Sequence, residues 1–121
     1  MSYIEQIADA VPQGEILAQL AEECAELAKA ALKYRRAMGY AEGNPTPDSA
    51  VQALKNIEEE IADVYTVLAV LGASGITANG DVYDYKLQRW AQRVAGEDAD
   101  AVADRHQTGE SRVRRHRDDR T

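Results

Sequence analysis

Apolar residues recur at helical spacing through three long segments of this chain. In the segment from Ala50 to Leu71, the apolar stripe comprises Leu54, Ile57, Ile61, Val64, Leu68 and Leu71. Residues three and four positions apart share one face of a helix, whereas a strand alternates apolar and polar residues. The sequence has no credible alternation of that kind, so the pattern predicts an all-α fold.

Capping and turn-forming residues indicate where the predicted helices begin and end. We expect a short helix over Ser2 to Ala10, then long helices over Glu15 to about Arg36, Ala50 to Leu71, and Asp81 to Gly96. The segment from Gly39 to Ser49 is predicted to be a loop, with Asp48 or Ser49 capping the next helix. Asp81 is the expected cap of the last long helix.

Length and composition indicate one helical domain followed by a tail. A chain of 121 residues has the size of a single small domain. After Gly96 the sequence becomes increasingly polar, so we expect a helical domain over residues 1–96 and a polar, flexible tail over 97–121. A chain this short buries little surface alone and gains from oligomerisation.

Charge and hydropathy exclude several classes of partner. The formal net charge of −7 argues against a nucleic-acid binder. The longest apolar stretch, Val64 to Ala73, is too short to span a membrane, and the first residues do not resemble a signal peptide. We therefore expect a cytoplasmic protein.

The only cysteine, Cys24, lies on a predicted apolar face, and we expect its thiol to be buried.

Acidic residues interrupt two of the apolar helices in a matched way, as Glu22-Glu23-Cys24-Ala25-Glu26 and Glu60-Ile61-Ala62-Asp63. On a helical wheel, each motif places one acid at the edge of the apolar stripe and another one turn further on. If the two helices pack antiparallel, four carboxylates converge and repel one another. A hard cation with oxygen ligands, foremost Mg²⁺, would offset that repulsion. The alternative is that these are ordinary acids on helix surfaces.

Other kinds of metal or catalytic site require residues that the predicted helices do not contain. A di-iron bundle needs Glu-x-x-His pairs, and both histidines, His106 and His116, lie in the predicted tail. Structural zinc needs clustered cysteine and histidine. The sequence also contains no EF-hand spacing, no phosphate-binding P-loop and no plausible nucleophile–histidine arrangement.

Basic residues near the motifs have two interpretations. Lys29 and Lys33 follow the first motif, where they could contact phosphates or pair with neighbouring acids. Lys86, Arg89 and Arg93 follow one another at helical spacing on the last long helix. They could bind a polyphosphate or form a solvated face.

The motif pair resembles that of the MazG-type nucleotide pyrophosphohydrolases, within the all-α NTP pyrophosphatase superfamily. The resemblance covers roughly Leu17 to Arg93 and includes Gln19-Leu20-Ala21 before the first motif. Lys86 and Arg89 resemble the basic pair that often follows in the family. The spacer from Leu27 to Glu59 is longer than in compact members, which bears on substrate selectivity.

The resemblance implies an antiparallel helical bundle that assembles into a dimer or tetramer. It also implies hydrolysis of a nucleoside triphosphate to the monophosphate and pyrophosphate, with Mg²⁺ as cofactor and Mn²⁺ as a possible substitute. The implied metal ligands are Glu23, Glu26, Glu60 and Asp63. Glu22 would be a further ligand or orient the attacking water, and the implied phosphate contacts are Lys33, Lys86 and Arg89.

Two alternatives stay open at this point. The chain could be a non-catalytic helical interaction module whose acids bind a basic partner. Within the superfamily, it could be a dedicated dUTP or dCTP hydrolase, or a phosphoribosyl-ATP pyrophosphohydrolase.

Overall fold

The chain folds into α-helices, and the described residues contain no strand. The computed structural model describes residues 1–40, 43 and 46–103, with side chains described up to residue 96. The helices are α1 (Tyr3–Ala10), α2 (Gln13–Ala37), α3 (Ala50–Ala73) and α4 (Gly80–Ala103). The prediction of an all-α fold is confirmed.

Local sequence explains where the first three helices begin. Ser2 and Glu5 form a capping box at α1, in which each residue's backbone N–H donates to the other's side chain at 3.1 Å. Ser49 caps α3, since its Oγ accepts from the backbone N–H of Gln52 at 3.1 Å. Pro12 precedes α2, where its missing N–H costs no helical hydrogen bond.

Glycines in the left-handed conformation follow α2 and α3. Gly39 has a φ of 75° and Gly75 a φ of 110°. At the end of α3 the N–H of Ile76 donates to the carbonyl of Leu71 at 3.1 Å, which satisfies an acceptor that the helix leaves open. A residue with a Cβ would be strained at either position.

The fourth helix differs from its prediction at both ends. Asn79 caps it instead of Asp81, because the side-chain oxygen of Asn79 accepts from the N–H of Val82 at 3.1 Å. The helix also continues through Gly96 to Ala103. Glycine weakens a helix but ends it only when the backbone turns left-handed there. Residues 104–121 of the expected tail lie outside the described part of the chain.

The chain divides into two compact units, Met1–Thr77 and Ala78–Thr121, which are described separately. In the first unit α2 and α3 pack side by side, and α1 packs against α3. The amide of Gln13 donates to the carbonyl of Ser74 at 3.0 Å, which joins the start of α2 to the end of α3. The two long helices are therefore antiparallel. Within its described residues, the second unit consists of α4 and the segment that precedes it.

The buried core of the first unit is small. Its main cluster consists of Ile16, Val70 and Leu71, with Ala8, Val11, Leu20 and Val67 packed against it. Towards the other end of the helix pair, Ala30 and Ala53 are 7% and 1% exposed. Their short side chains let α2 and α3 approach closely there, which keeps residues on the facing sides within reach of one another.

Much of the predicted apolar surface stays exposed. Val64 and Leu71 of the α3 stripe are buried, whereas Leu54, Ile61 and Leu68 are 43%, 36% and 47% exposed. The expectation of a buried Cys24 is wrong, because its side chain is exposed. The helices α1 and α2 cover one side of α3, and the apolar residues extend beyond that side.

Candidate metal centre between the second and third helices

Three carboxylates meet between α2 and α3. Glu23 comes from α2, Glu60 and Asp63 come from α3, and one oxygen of each lies within 4.8 Å of the others. Glu60 and Asp63 share a face because they are three residues apart. The antiparallel packing brings Glu23 opposite them. We refer to these three residues as the acid cluster.

Glu60 lies in the least favourable environment of the cluster. Its side chain is half-buried, and its Oε2 is withdrawn from solvent without a hydrogen-bond partner among the described residues. The pKa of Glu60 is raised above the ordinary 4.5 by burial first, and then by the charges of Asp63, Glu23, Glu26 and Glu59. A bound cation would offset both causes, because it favours the charged form.

The acid cluster fits a divalent cation in size and in chemistry. Mg²⁺ binds oxygen at about 2.1 Å, so two ligands on opposite sides of the ion stand about 4.2 Å apart. The oxygens of the cluster lie within 4.8 Å of one another, which is close to this span. Oxygen donors without sulfur or imidazole suit Mg²⁺ and Mn²⁺ better than zinc or copper. The unpartnered Oε2 of Glu60 has a free acceptor position to offer.

Glu26, the fourth expected ligand, lies beside the cluster. It is exposed, its Oε1 is 3.6 Å from the Nζ of Lys29, and its charge contributes to the raised pKa of Glu60. The close oxygens identified in the described residues belong to Glu23, Glu60 and Asp63, and Glu26 is not among them. Glu22 is exposed on α2, next to Glu23 in sequence.

A small cleft of mixed charge adjoins the acid cluster on one side. It has a volume of about 120 Å³ and is lined by Glu26, Lys29, Ala30, Lys33, Ala53, Asn56 and Glu60. Of the two lysines, Lys29 forms the exposed ion pair with Glu26. The sequence could not decide between phosphate contact and ion pairing, and the structure shows ion pairing for Lys29. Lys33, a predicted phosphate contact, lines the same cleft.

An apolar groove lies on the other side of the cluster. It has a volume of about 540 Å³ and is lined by Ile7, Val11, Glu15, Ile16, Gln19, Thr66, Val67 and Val70. Gln19 lies one helical turn before Glu23, and Thr66 lies three residues after Asp63. The groove, the acid cluster and the cleft therefore follow one another along the α2–α3 pair.

Two polar residues beside the acids were not among the predicted site residues, although Gln19 belongs to the segment that carries the family resemblance. The amide of Gln19 donates to Oε1 of Glu23 at 2.8 Å. Asn56 lines the cleft with Glu60 and accepts a hydrogen bond from Gln52 at 2.9 Å. Each lies four residues from an acid of the cluster, and this spacing was the available signal. Many helical residues have such a neighbour, so the signal alone is weak.

The remaining predicted residues, Lys86 and Arg89, lie on α4 in the second unit. Together with Trp90 and Arg93 they line a cavity of about 160 Å³. The guanidinium carbon of Arg89 is 5.6 Å from the centre of the Tyr85 ring, a distance suited to a cation–π contact. Arg89 and Arg93 are half-buried, and Lys86 is exposed.

Comparisons with known proteins give no family, because no family model, no curated protein and no solved structure matches the chain. None of the helices in the described part of the chain combines the length and the hydropathy that a membrane span requires.

Proposed function

We propose that this chain is a magnesium-dependent nucleoside triphosphate pyrophosphohydrolase of the MazG type. It would convert an NTP or dNTP and water into the monophosphate and pyrophosphate. The observation that carries the proposal is the approach of Glu23 to Glu60 and Asp63 from separate helices, with oxygens within 4.8 Å of one another. Such a cluster raises the free energy of the metal-free protein, and binding of a cation compensates for it.

In this proposal Glu23, Glu60 and Asp63 would hold the cation, and Glu26 would be the fourth ligand that the family resemblance implies. Bound Mg²⁺ would polarise phosphoryl oxygens and neutralise their charge. Water attacks the α-phosphorus, and the bond from that phosphorus to the bridging oxygen breaks as pyrophosphate leaves. Glu22 orients the water or accepts its proton, because no histidine lies near the cluster among the described residues.

The order of surfaces along α2 and α3 supports a nucleotide substrate. The apolar groove offers aliphatic walls to a base and sugar, with Gln19 and Thr66 as polar groups at the side nearer the acids. The cleft on the far side of the cluster contains Lys33, whose ammonium group can meet the terminal phosphates. We assign Lys86 and Arg89 of α4 to phosphate contact as well, on the family resemblance.

We further propose that the chain forms an antiparallel helical bundle as a homodimer or homotetramer. Exposed apolar residues on α3 recur seven positions apart at Leu54, Ile61 and Leu68, with Val51 and Tyr65 beside them. That spacing is typical of a helix face that packs against another helix. A second copy of the chain would bury it. The proposed setting is the cytoplasm, without nucleic-acid or membrane partners.

A substrate panel tests the function directly. The full chain is incubated with canonical and modified NTPs and dNTPs in Mg²⁺, and pyrophosphate release is measured. We expect release that requires Mg²⁺ or Mn²⁺ and disappears with chelator. Preference for dUTP, dCTP or phosphoribosyl-ATP would identify a dedicated hydrolase within the same superfamily. Absence of pyrophosphate from every substrate would refute the proposal.

The exposed apolar stripe also favours a second candidate, a non-catalytic interaction module. In that case the stripe of Leu54, Ile61 and Leu68 would bind a different protein instead of a second copy. The two candidates differ in their response to metal. The module predicts a monomeric chain with no measurable binding of Mg²⁺, whereas the enzyme predicts an oligomer that binds the ion.

A further inference from the structure

Gln19 makes a direct contact with the acid cluster from outside it. Its Nε2 donates to Oε1 of Glu23 at 2.8 Å, across one turn of α2. A hydrogen bond to a carboxylate is about twice as strong as one between neutral groups. The bond restrains both the rotamer and the plane of the Glu23 carboxylate, because a glutamate otherwise rotates about several side-chain bonds.

The restraint on Glu23 matters because two other acids lie close to it. Glu23 must reach across the helix interface to stand within 4.8 Å of the oxygens of Glu60 and Asp63. Those acids repel it, so an unrestrained Glu23 gains by rotating outwards to solvent. The amide of Gln19 carries no charge, so it holds the carboxylate without neutralising the charge that a cation needs. A lysine there would hold the same oxygen and repel the cation.

Gln19 contributes little as a purely structural residue. Its side chain is exposed, so water can replace the bond in a variant without the amide, and we expect only a small loss of folding stability. Gln52 on α3 offers a direct comparison, because its amide donates across four residues to Oδ1 of Asn56 at 2.9 Å. The two bonds span the same number of residues and have similar lengths, but Gln52 donates to a neutral amide.

We propose that Gln19 is a positioning residue, which holds Glu23 in the orientation that binds the divalent cation. This inference rests on the metal site of the proposed function, and it concerns the affinity of that site instead of the reaction. Residues that hydrogen-bond a metal ligand commonly account for 10- to 100-fold in metal affinity. We expect Gln19 to account for about 10-fold, because its bond is exposed to solvent.

The experiment compares Gln19→Met with the matched control Gln52→Met in the full chain. Methionine keeps the length and the unbranched shape of glutamine and forms helices well, so both variants should fold. Binding of Mn²⁺ is measured by calorimetry, and helicity and thermal stability are measured in chelator. Gln19→Met should bind Mn²⁺ about 10-fold more weakly than the parent. Gln52→Met should bind it within about twofold of the parent, and both variants should melt alike without metal.

Each other outcome has a distinct meaning. If Gln19→Met binds Mn²⁺ as tightly as the parent, the positioning role is wrong and the metal site stands. If Gln19→Met loses helicity or melts well below Gln52→Met in chelator, Gln19 is a structural residue and the inference is overturned. If the parent itself binds no Mn²⁺, both the inference and the metal site of the proposed function fail.

Discussion

Glu60 is the residue of the candidate site whose negative charge is least well stabilised. Its Oε2 is shielded from water, other carboxylates surround it, and it has no hydrogen-bond partner among the described residues. A carboxylate in such a place lowers the stability of the metal-free protein. A cation bound at the acid cluster would turn the same arrangement into a favourable one. Substitution of Glu60 is therefore the most direct test of both the stability of the metal-free protein and its binding of a cation.

Replacing Glu60 by glutamine should raise the stability of the metal-free protein and weaken its binding of metal. Glu60→Gln keeps the shape of the side chain and removes the charge, so the metal-free protein should melt at a higher temperature than the parent. Loss of a direct ligand should weaken Mn²⁺ binding by at least about 100-fold, since loss of a supporting residue already costs 10- to 100-fold. Glu58→Gln, an exposed acid on the same helix, is the control. Equal effects of the two substitutions would contradict the proposed site.

The raised pKa of Glu60 also predicts a dependence of stability on pH. An acid whose pKa is raised in the folded protein binds more protons when folded than when unfolded. Its contribution to stability falls as the pH rises from 4.5 through the raised pKa. In chelator, the parent should therefore become less stable than Glu60→Gln over that interval, with a constant difference above it. Urea unfolding at a series of pH values measures the difference, and a flat difference would contradict the prediction.

Single residues also show where prediction from sequence reached its limit. The approach of Glu23 to Glu60 and Asp63 was predictable, because matched acidic motifs on two apolar helices are harder to explain as ordinary surface acids than a single motif is. Gln19 and Asn56 were not, because an amide on a helix is ordinary until the acid that it contacts is known. Cys24 was misplaced for a related reason: an apolar neighbourhood in sequence does not say which side a partner helix will cover.

At the scale of helices, local chemistry determined most of what could be predicted. Ser49 caps α3 and was one of the two predicted caps, and Ser2, expected as the first residue of α1, caps that helix through its side chain. The end of α4 did not follow from the sequence, because Gly96 is compatible with either a helix or a turn. The pairing of α2 with α3 was expected only conditionally, since it depends on contacts between residues far apart in the chain.

The close contact of α2 and α3 predicts a strong effect of side-chain size at Ala53. This residue is 1% exposed, so Ala53→Leu must displace neighbouring atoms or force the helices apart. Overpacking of this kind costs about 1–3 kcal/mol, measurable by urea unfolding. It should also weaken Mn²⁺ binding, because the acids move apart. Ala62→Leu, at an exposed position of α3, should change stability by less than about 0.5 kcal/mol. Similar losses in both variants would contradict the packing.

At the scale of the whole molecule, the described chain leaves many large apolar side chains in contact with solvent. On α4, Tyr83, Leu87, Trp90 and Val94 are 58%, 48%, 61% and 49% exposed. The spacing of these residues was predictable from the sequence. Their exposure to solvent was not predictable, because it depends on which surfaces meet other helices or other copies. Such exposure favours further association of the chain.

A charge placed in the α3 stripe tests that association. Ile61→Arg would bring like charges together at a contact between copies, so the oligomer should dissociate to a species of 13.3 kDa. Light scattering after gel filtration measures the mass. Ala62→Arg adds the same charge about 100° further round the helix and should leave the oligomer intact. A parent chain that is already monomeric would contradict the proposed assembly.

The acids of the cluster occupy interior turns of α2 and α3, well away from the segments that join the helices. Regular helices do not bend open as a hinge does, so an incoming ion would find the backbone already in its final place. Loading and release would then require rotamer changes of the ligands and no movement of the backbone. Exchange of the ion should accordingly be limited by removal of its own hydration water, a property of the metal more than of the polypeptide.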